Sequence, residues 1–382
     1  MPQPTPSTEP VTAEPTAVRK DGPTAGPTAP SLDLSSDVTS LVAAICDIES
    51  VSQDEQSLAD AIEAALRPLA HLEVVRDGNT VVARTDLGRA ERVVLAGHID
   101  TVPLTVEPNL PTRRVGDDLW GRGTVDMKGG VGVMLRIAAQ LAEPNRDLTF
   151  LFYECEEIDG KYNGLARVGQ NRPDLLAGDF AVLLEPTNGA IEGGCKGTLR
   201  AEVTTTGTAA HSARPWKGHN AIHDAATVLS RLTAYEAETI TVDGLDYHEA
   251  LQAVGITGGI AGNVIPDRCT VTVNYRYAPD KDSTEAFAHV QHVFEGFEVT
   301  LGDAADGARP GLQLPAAKAF VESLGAPVDA KEGWTDVARF TALGIPAVNF
   351  GPGDPNLAHM DDEHCPVAQY VDAEAALLRW LG

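Results

Sequence analysis

Apolar residues recur at helical spacing in "DVTSLVAAICDI" and "SLADAIEAALRPL", where the patterned part of the chain begins. "LEVVRD", "TVVART" and "RVVLAG" follow and read as strands. The pattern then predicts a helix over "GGVGVMLRIAAQLAE", opening on Gly129 and Gly130. The apolar runs "DLTFLFYECEE" and "FAVLLEP" read as strands that end in acids. Strands interleaved with helices predict an α/β sheet covered on both faces.

The rhythm changes near Cys195. "GTLRAEVTTTG" is strand-like, "HNAIHDAATVLSRLTAYEA" helical, and "EALQAVGITGG" and "CTVTVNYRYA" strand-like. "STEAFAHVQHVFEGF" is helical, and "EVTLG" closes as a strand. That order is βαββαβ, the ferredoxin-like split unit. Residues 195–308 are therefore read as an inserted α+β domain. The α/β rhythm resumes in "GLQLPAAKAFVESLG", "TDVARFTALG", "IPAVNF" and "YVDAEAALLRWLG". The first domain is thus expected to be discontinuous, over 31–194 and 309–382, with a mixed sheet flanked by helices. Residues 1–30 are rich in Pro, Thr and Ala and cannot bury enough apolar surface to offset their ordering entropy. They are expected to be disordered.

Composition narrows the picture. A chain of 382 residues with 43% apolar content has room for two domains and a real core. No window approaches the ~18 consecutive apolar residues of a membrane span, and no stretch resembles a signal peptide. A cytoplasmic protein is the expectation. The formal charge of −26 argues against nucleic acid or an anionic membrane as partner. It also means that an anionic substrate needs dedicated Arg or Lys residues. The five cysteines (Cys46, Cys155, Cys195, Cys269 and Cys365) are scattered, odd in number and without a CxxC, so buried free thiols are expected.

The chemistry lies at the strand ends. In open α/β sheets, ligands gather at the carboxyl ends of the strands. "VVLAGHIDTVP" finishes with His98 and Asp100, two residues apart and so on one side. "FLFYECEE" delivers Glu154, Glu156 and Glu157, and "FAVLLE" delivers Glu185. "IPAVNF" leads through "GPGDPNLA" to His359. Asp126 sits in the Gly-rich "GRGTVDMKGG", which fits no phosphate-loop pattern. Two imidazoles and several carboxylates from separate segments suit zinc. In "CTVTVNYRYA" the polar residues Thr270, Thr272, Asn274 and Arg276 alternate with an apolar face.

"GHIDTVP", "GRGTVDMKGG", "CEEIDG", "LLEPTNG" and "HMDDEH" occur in the order found in the co-catalytic di-zinc aminoacylase/carboxypeptidase superfamily, which the chain resembles from about residue 33 to 382. "TGTAAHSARPW", "AGNVIPD", "VNYRYAPD", "GWTDVARF" and "NFGPGDPNLAH" extend the likeness toward its actinobacterial succinyl-diaminopimelate desuccinylase family. The resemblance implies two zinc ions per subunit, with cobalt or manganese as substitutes. His98 and Glu185 would hold one, Glu157 and His359 the other, and Asp126 would bridge them. Asp100 would orient the His98 ring, and a cis peptide would follow Asp126. Glu156 would be the general base that activates a water for amide hydrolysis. The inserted domain would be a dimerisation lid, and His211 would reach the partner subunit's oxyanion. Asn263, Arg276, Thr335 and Arg339 would contact a small anionic N-acyl amino-acid substrate. Some relatives carry consecutive arginines where this chain has Cys195–Lys196, so Lys196 is left out of the site. A desuccinylase releasing succinate from N-succinyl-LL-2,6-diaminopimelate is the reading the resemblance implies. An acetylornithine deacetylase, aminoacylase or dipeptidase keeps the same metal site, and a non-catalytic binding protein keeps only the fold.

Overall fold

The computed structural model describes residues 30–106 and 108–382. The expectation for residues 1–30 therefore lies, apart from Pro30, outside the described residues. The larger sheet has eight strands. In spatial order they are Glu73–Asp77, Thr80–Arg84, Asp147–Tyr153, Arg92–His98, Phe180–Leu183, Ala347–Asn349, Ile191–Gly193 and Val328–Ala330. The central four, from Asp147–Tyr153 to Ala347–Asn349, are mutually parallel. Their carboxyl ends therefore share one edge. Antiparallel pairs join the flanking strands on either side, so the sheet is mixed.

Period-two alternation divides the central strands between two cores. Val93, Leu95, Phe150, Phe152 and Val182 belong to one cluster, with the helices Val38–Cys46, Lys128–Gln140 and Val367–Leu381. Val94, Ala96, Leu151, Tyr153 and Leu183 belong to the other, under the helices Gly164–Asn171 and Val337–Ala342. Burying one such aliphatic side chain contributes roughly 1.5–3 kcal/mol, so both faces stiffen the strand ends. Helix Lys128–Gln140 lies very close to the sheet, because a Cβ on Gly130 would stand 2.2 Å from the Leu184 carbonyl oxygen.

The smaller sheet has four antiparallel strands, ordered Ala250–Gly258, Arg268–Tyr277, Gly197–Thr206 and Glu298–Ala305. Helices Ala221–Thr233 and Ser283–Val293 pack on one face through Val228, Val290 and Phe294. This is the spatial order 2-3-1-4 of a split βαββαβ unit. Arg268–Tyr277 alternates as its sequence predicts: Val271, Val273, Tyr275 and Tyr277 are buried, and Asn274 and Arg276 face a half-open side. A hairpin, Thr239–Val242 with Leu245–His248, was not anticipated. Its turn is Asp243–Gly244, both at positive φ, the pairing that an Asp-Gly hairpin turn requires. All five cysteines are free and buried.

Candidate metal centre

Three parallel strand ends and two loops meet above the larger sheet. His98 is the last residue of its strand and Glu185 follows the next strand by two residues. Glu157 follows Tyr153 through a turn in which Cys155 takes a positive φ of 58°. His359 also takes a left-handed backbone, φ 65°, on the loop after Ala347–Asn349. Two groups of side chains offer ligand atoms within 4.8 Å of one another: His98, Asp126 and Glu185, and Asp126, Glu157 and His359. Asp126 is common to both. The His98 Nε2 lies 3.1 Å from Asp126 Oδ1, and the His359 Nε2 lies 3.3 Å from Asp126 Oδ2 and 3.0 Å from Glu157 Oε2. The Asp126–Met127 peptide is cis.

Asp100 is fully buried and ties the imidazole to the acidic turn. The His98 Nδ1–H donates first to the Asp100 backbone carbonyl, at 3.0 Å, with the carboxylate at 3.5 Å. The carboxylate accepts from the Glu156 N–H at 3.0 Å, the Glu157 N–H at 3.2 Å and the Ser52 hydroxyl at 2.7 Å. One acid thus fixes the His98 tautomer and aims the two glutamates. The Asp100 backbone oxygen makes the shorter bond to the ring, and the carboxylate stands behind it.

Glu154 does not join the site. It accepts from the Thr80 hydroxyl and the Asn79 N–H and pairs with Arg167 at 2.7 Å, on the other side of the turn.

The electrostatics call for cations. Burial, reinforced by Asp126 and Glu157, pushes the Glu185 carboxyl up to about 8. Burial also raises Glu156 well above the usual range; His98 opposes the shift, while Asp336, Glu185 and Glu157 add to it. His359 is raised to about 10 by its hydrogen bonds to Asp126 and Glu157. Asp126 is held low in spite of burial, because His359 and His98 both bond it. Without an added positive charge, Glu156 and Glu185 hold protons more strongly than free carboxyls, while Asp126 stays ionised against the two imidazoles. Nitrogen and carboxylate donors arranged in this way fit divalent transition metals.

The proposed substrate contacts divide. A cavity of about 480 Å³ beside the centre is lined by Glu156, Glu157, Thr198, Asp303, Trp334 and Arg339, and so lies between the two sheets. The Arg339 guanidinium sits over the Trp334 ring at 5.2 Å and donates to the buried Asp336. Arg276 donates to Asn274 at 3.1 Å, and Asn274 donates to Thr198 on the cavity wall at 3.3 Å. Thr335 instead points into the protein, where its hydroxyl donates to Asn349 at 3.1 Å. His211 and Asn263 lie together on the smaller unit: Ala210–His211 pairs with Val264–Ile265, and Ser212 donates to the Asn263 carbonyl at 2.9 Å. Among the described residues, no hydrogen bond or ion pair joins His211 or Asn263 to the carboxylate cluster. Lys196, left out of the site, pairs with Glu332 and donates to the His248 carbonyl.

Sequence reasoning overlooked Glu363 and Arg122, although both stand inside quoted motifs. Glu363 is buried and accepts from the backbone N–H of Val125 at 2.9 Å and of Asp126 at 3.2 Å.

Comparison with known proteins agrees with this geometry. Residues 94–382 match the family described as Peptidase family M20/M25/M40. The chain is 56% identical over 354 residues to a Mycobacterium tuberculosis protein provisionally named as a succinyl-diaminopimelate desuccinylase, covering 92% of this chain and 99% of that one. It is 47% identical over 363 residues to the succinyl-diaminopimelate desuccinylase of Corynebacterium glutamicum, covering 92% and 98%. Among solved structures, a tripeptidase from Staphylococcus aureus shares the fold with a TM-score of 0.74 at 19% identity, over 90% of this chain and 96% of that one. An M20 family metallo-carboxypeptidase from Sulfolobus solfataricus gives 0.71 at 17% identity, over 90% and 98%. With its strand-end ligand groups and a family match over most of its length, the chain belongs to peptidase family M20/M25/M40.

Proposed function

We propose that this protein is a zinc-dependent amide hydrolase that cleaves N-succinyl-LL-2,6-diaminopimelate to succinate and LL-2,6-diaminopimelate, a step in diaminopimelate and lysine biosynthesis. The observation that carries the chemistry is the pair of ligand groups sharing Asp126, with Glu156 beside them on the cavity wall. The identity to two relatives named for this reaction, over nearly their whole length, supports the substrate. His98 and Glu185 would hold one ion, Glu157 and His359 the other, with Asp126 between. Two bound zinc ions supply the Lewis acidity that makes water a nucleophile near neutral pH; cobalt or manganese suits the same donors.

The protein's own groups do the rest. Glu156, whose buried carboxyl holds protons strongly, takes the proton of the attacking water. It returns that proton to the amine nitrogen as the succinyl carbon–nitrogen bond breaks. Asp100 keeps Glu156 aimed through the N–H bond it accepts. Arg339 and Arg276 offer positive charge to a polyanionic substrate in an otherwise acidic molecule. Thr335, buried against Asn349, supports the wall behind Arg339.

His211 accepts at Nδ1 from the Ala213 N–H at 3.1 Å, so the proton of its neutral ring sits on the outward Nε2 and can be donated. We assign that donor, with Asn263, to the oxyanion and substrate of a partner subunit. The lid over 195–308 is then a dimerisation unit. Its edge strand Ala250–Gly258 exposes Val254 and Ile256, which favours a homodimer. Cys195 and Ala308 bridge each other where the chain enters and leaves, in keeping with the division into 31–194, 195–308 and 309–382. Among the described residues no helix is long and apolar enough to cross a membrane, and a cytoplasmic biosynthetic role accords with that.

Turnover of N-succinyl-LL-2,6-diaminopimelate against N-acetylornithine and Xaa-Gly dipeptides tests the assignment. The succinyl substrate is expected to have the highest kcat/KM; equal or better turnover of the others contradicts it.

A further inference from the structure

Two loops distant in sequence carry Asp126 and His359. Between them lies a buried ion pair that no ligand assignment uses. Arg122 and Glu363 are 3% and 1% exposed, and the Arg122 Nη1 donates to Glu363 Oε2 at 2.8 Å. The other oxygen, Oε1, accepts from the Val125 and Asp126 N–H groups at 2.9 and 3.2 Å. The Gly121 N–H donates to the Glu363 carbonyl at 3.0 Å, and Arg122 also donates to the Met360 carbonyl at 3.3 Å. These bonds lace the 121–126 turn to the 360–363 turn on both sides of the shared carboxylate.

The two ligand groups differ in support. His98 and Glu185 stand at or beside strands packed on two cores. His359 has half of its side chain exposed and sits on a loop in the left-handed region, which a non-glycine residue adopts only when its surroundings hold it there. A loop held in that way needs an anchor, and Glu363, four residues on, is the buried group that ties it to Asp126.

We infer that Glu363, braced by Arg122, is a positioning residue that presents Asp126 to His359 and so sets the affinity of the Asp126–Glu157–His359 group for its cation. The inference rests on the two-cation reading above. Because Asp126 serves both groups, removing Glu363 weakens both ions, but the one at Glu157 and His359 more than the one that the strand-end residues His98 and Glu185 also hold.

The test is a Co²⁺ titration by calorimetry of metal-stripped wild type, Glu363→Ala and Glu363→Gln, with circular dichroism to check folding. Hydrogen exchange of the metal-free proteins over residues 121–127 is measured alongside. Wild type is expected to take up two ions. In Glu363→Ala one affinity falls about 10- to 100-fold, and the other falls by a clearly smaller factor. Exchange over 121–127 quickens about tenfold or more as the two N–H acceptors are lost. Glu363→Gln keeps the Oε1 acceptor and falls between the two. Unchanged affinities with unchanged exchange overturn the inference, as does equal weakening of both ions in a folded variant. If the alanine variant does not fold, the glutamine variant decides by the same criteria. A wild type that binds no cation contradicts the proposed function instead.

Discussion

At the scale of single residues, the site depends on Asp126 and Asp100 doing separate work. Asp126 offers one oxygen to each imidazole. Asp100 holds the His98 ring from behind and, with its other bonds, fixes the turn that carries Glu156 and Glu157. Glu156→Gln removes the proton acceptor and none of the ligands. It should lower kcat by about 10²- to 10⁴-fold with metal content unchanged by elemental analysis; full turnover would remove Glu156 as the base. Asp100→Ala keeps the backbone oxygen that His98 bonds but removes the carboxylate behind the ring and its hold on the glutamate turn. It should weaken metal binding about 10- to 100-fold in competition with a chelator, and unchanged affinity would refute the bracing role. His98, Asp126, Glu156, Glu157, Glu185 and His359 could be singled out in the sequence because each stands in a short motif near a strand end or helix start. Glu154 is kept apart from Glu156 and Glu157 by the turn after Tyr153, where Cys155 takes a positive φ, and pairs with Arg167 instead. Glu363 went unread because its partners Val125 and Asp126 lie 238 and 237 residues away, and only tertiary packing brings them near.

At the scale of elements, the centre is placed by the closeness of helix Lys128–Gln140 to the strand that precedes Glu185. Gly130 is the point of contact. Helix propensity alone predicts that Gly130→Ala stabilises by about 1 kcal/mol. The Cβ would meet the Leu184 carbonyl at 2.2 Å, so sterics should win. We expect a net loss of about 1–3 kcal/mol, seen as a lower Tm; a raised Tm would show that the helix can retreat without cost. The alternating apolar strands and the βαββαβ order were legible because periodicity two and the strand–helix sequence are local properties. The hairpin ending at His248 was missed although its Asp243–Gly244 turn lies between two alternating runs, because each run has only 4 residues.

At the scale of the whole molecule, charge decides how the centre fills. The protein carries a formal −26, and several of its acids gather around Asp126, where His98 and His359 bond it. In the metal-free state His359 keeps its proton up to about pH 10. A cation must displace that proton, so metal affinity should rise with pH, by up to about tenfold per unit for each proton released, and level off above pH 10. Calorimetry in buffers of different ionisation enthalpy should show net proton release; none would mean the ligands are already deprotonated. The same linkage gives the sign for stability without metal. The His359 contacts contribute fully below its unfolded value, near 6.5, and are lost as pH rises through about 10.

The central claim is that hydrolysis depends on cations held by two ligand groups around one aspartate. Its most direct test is to strip the protein with a chelator and restore Zn²⁺ stepwise while following turnover of N-succinyl-LL-2,6-diaminopimelate. The account predicts that activity is lost on stripping and returns to a plateau at two ions per chain. Full activity in protein shown to be metal-free would contradict it.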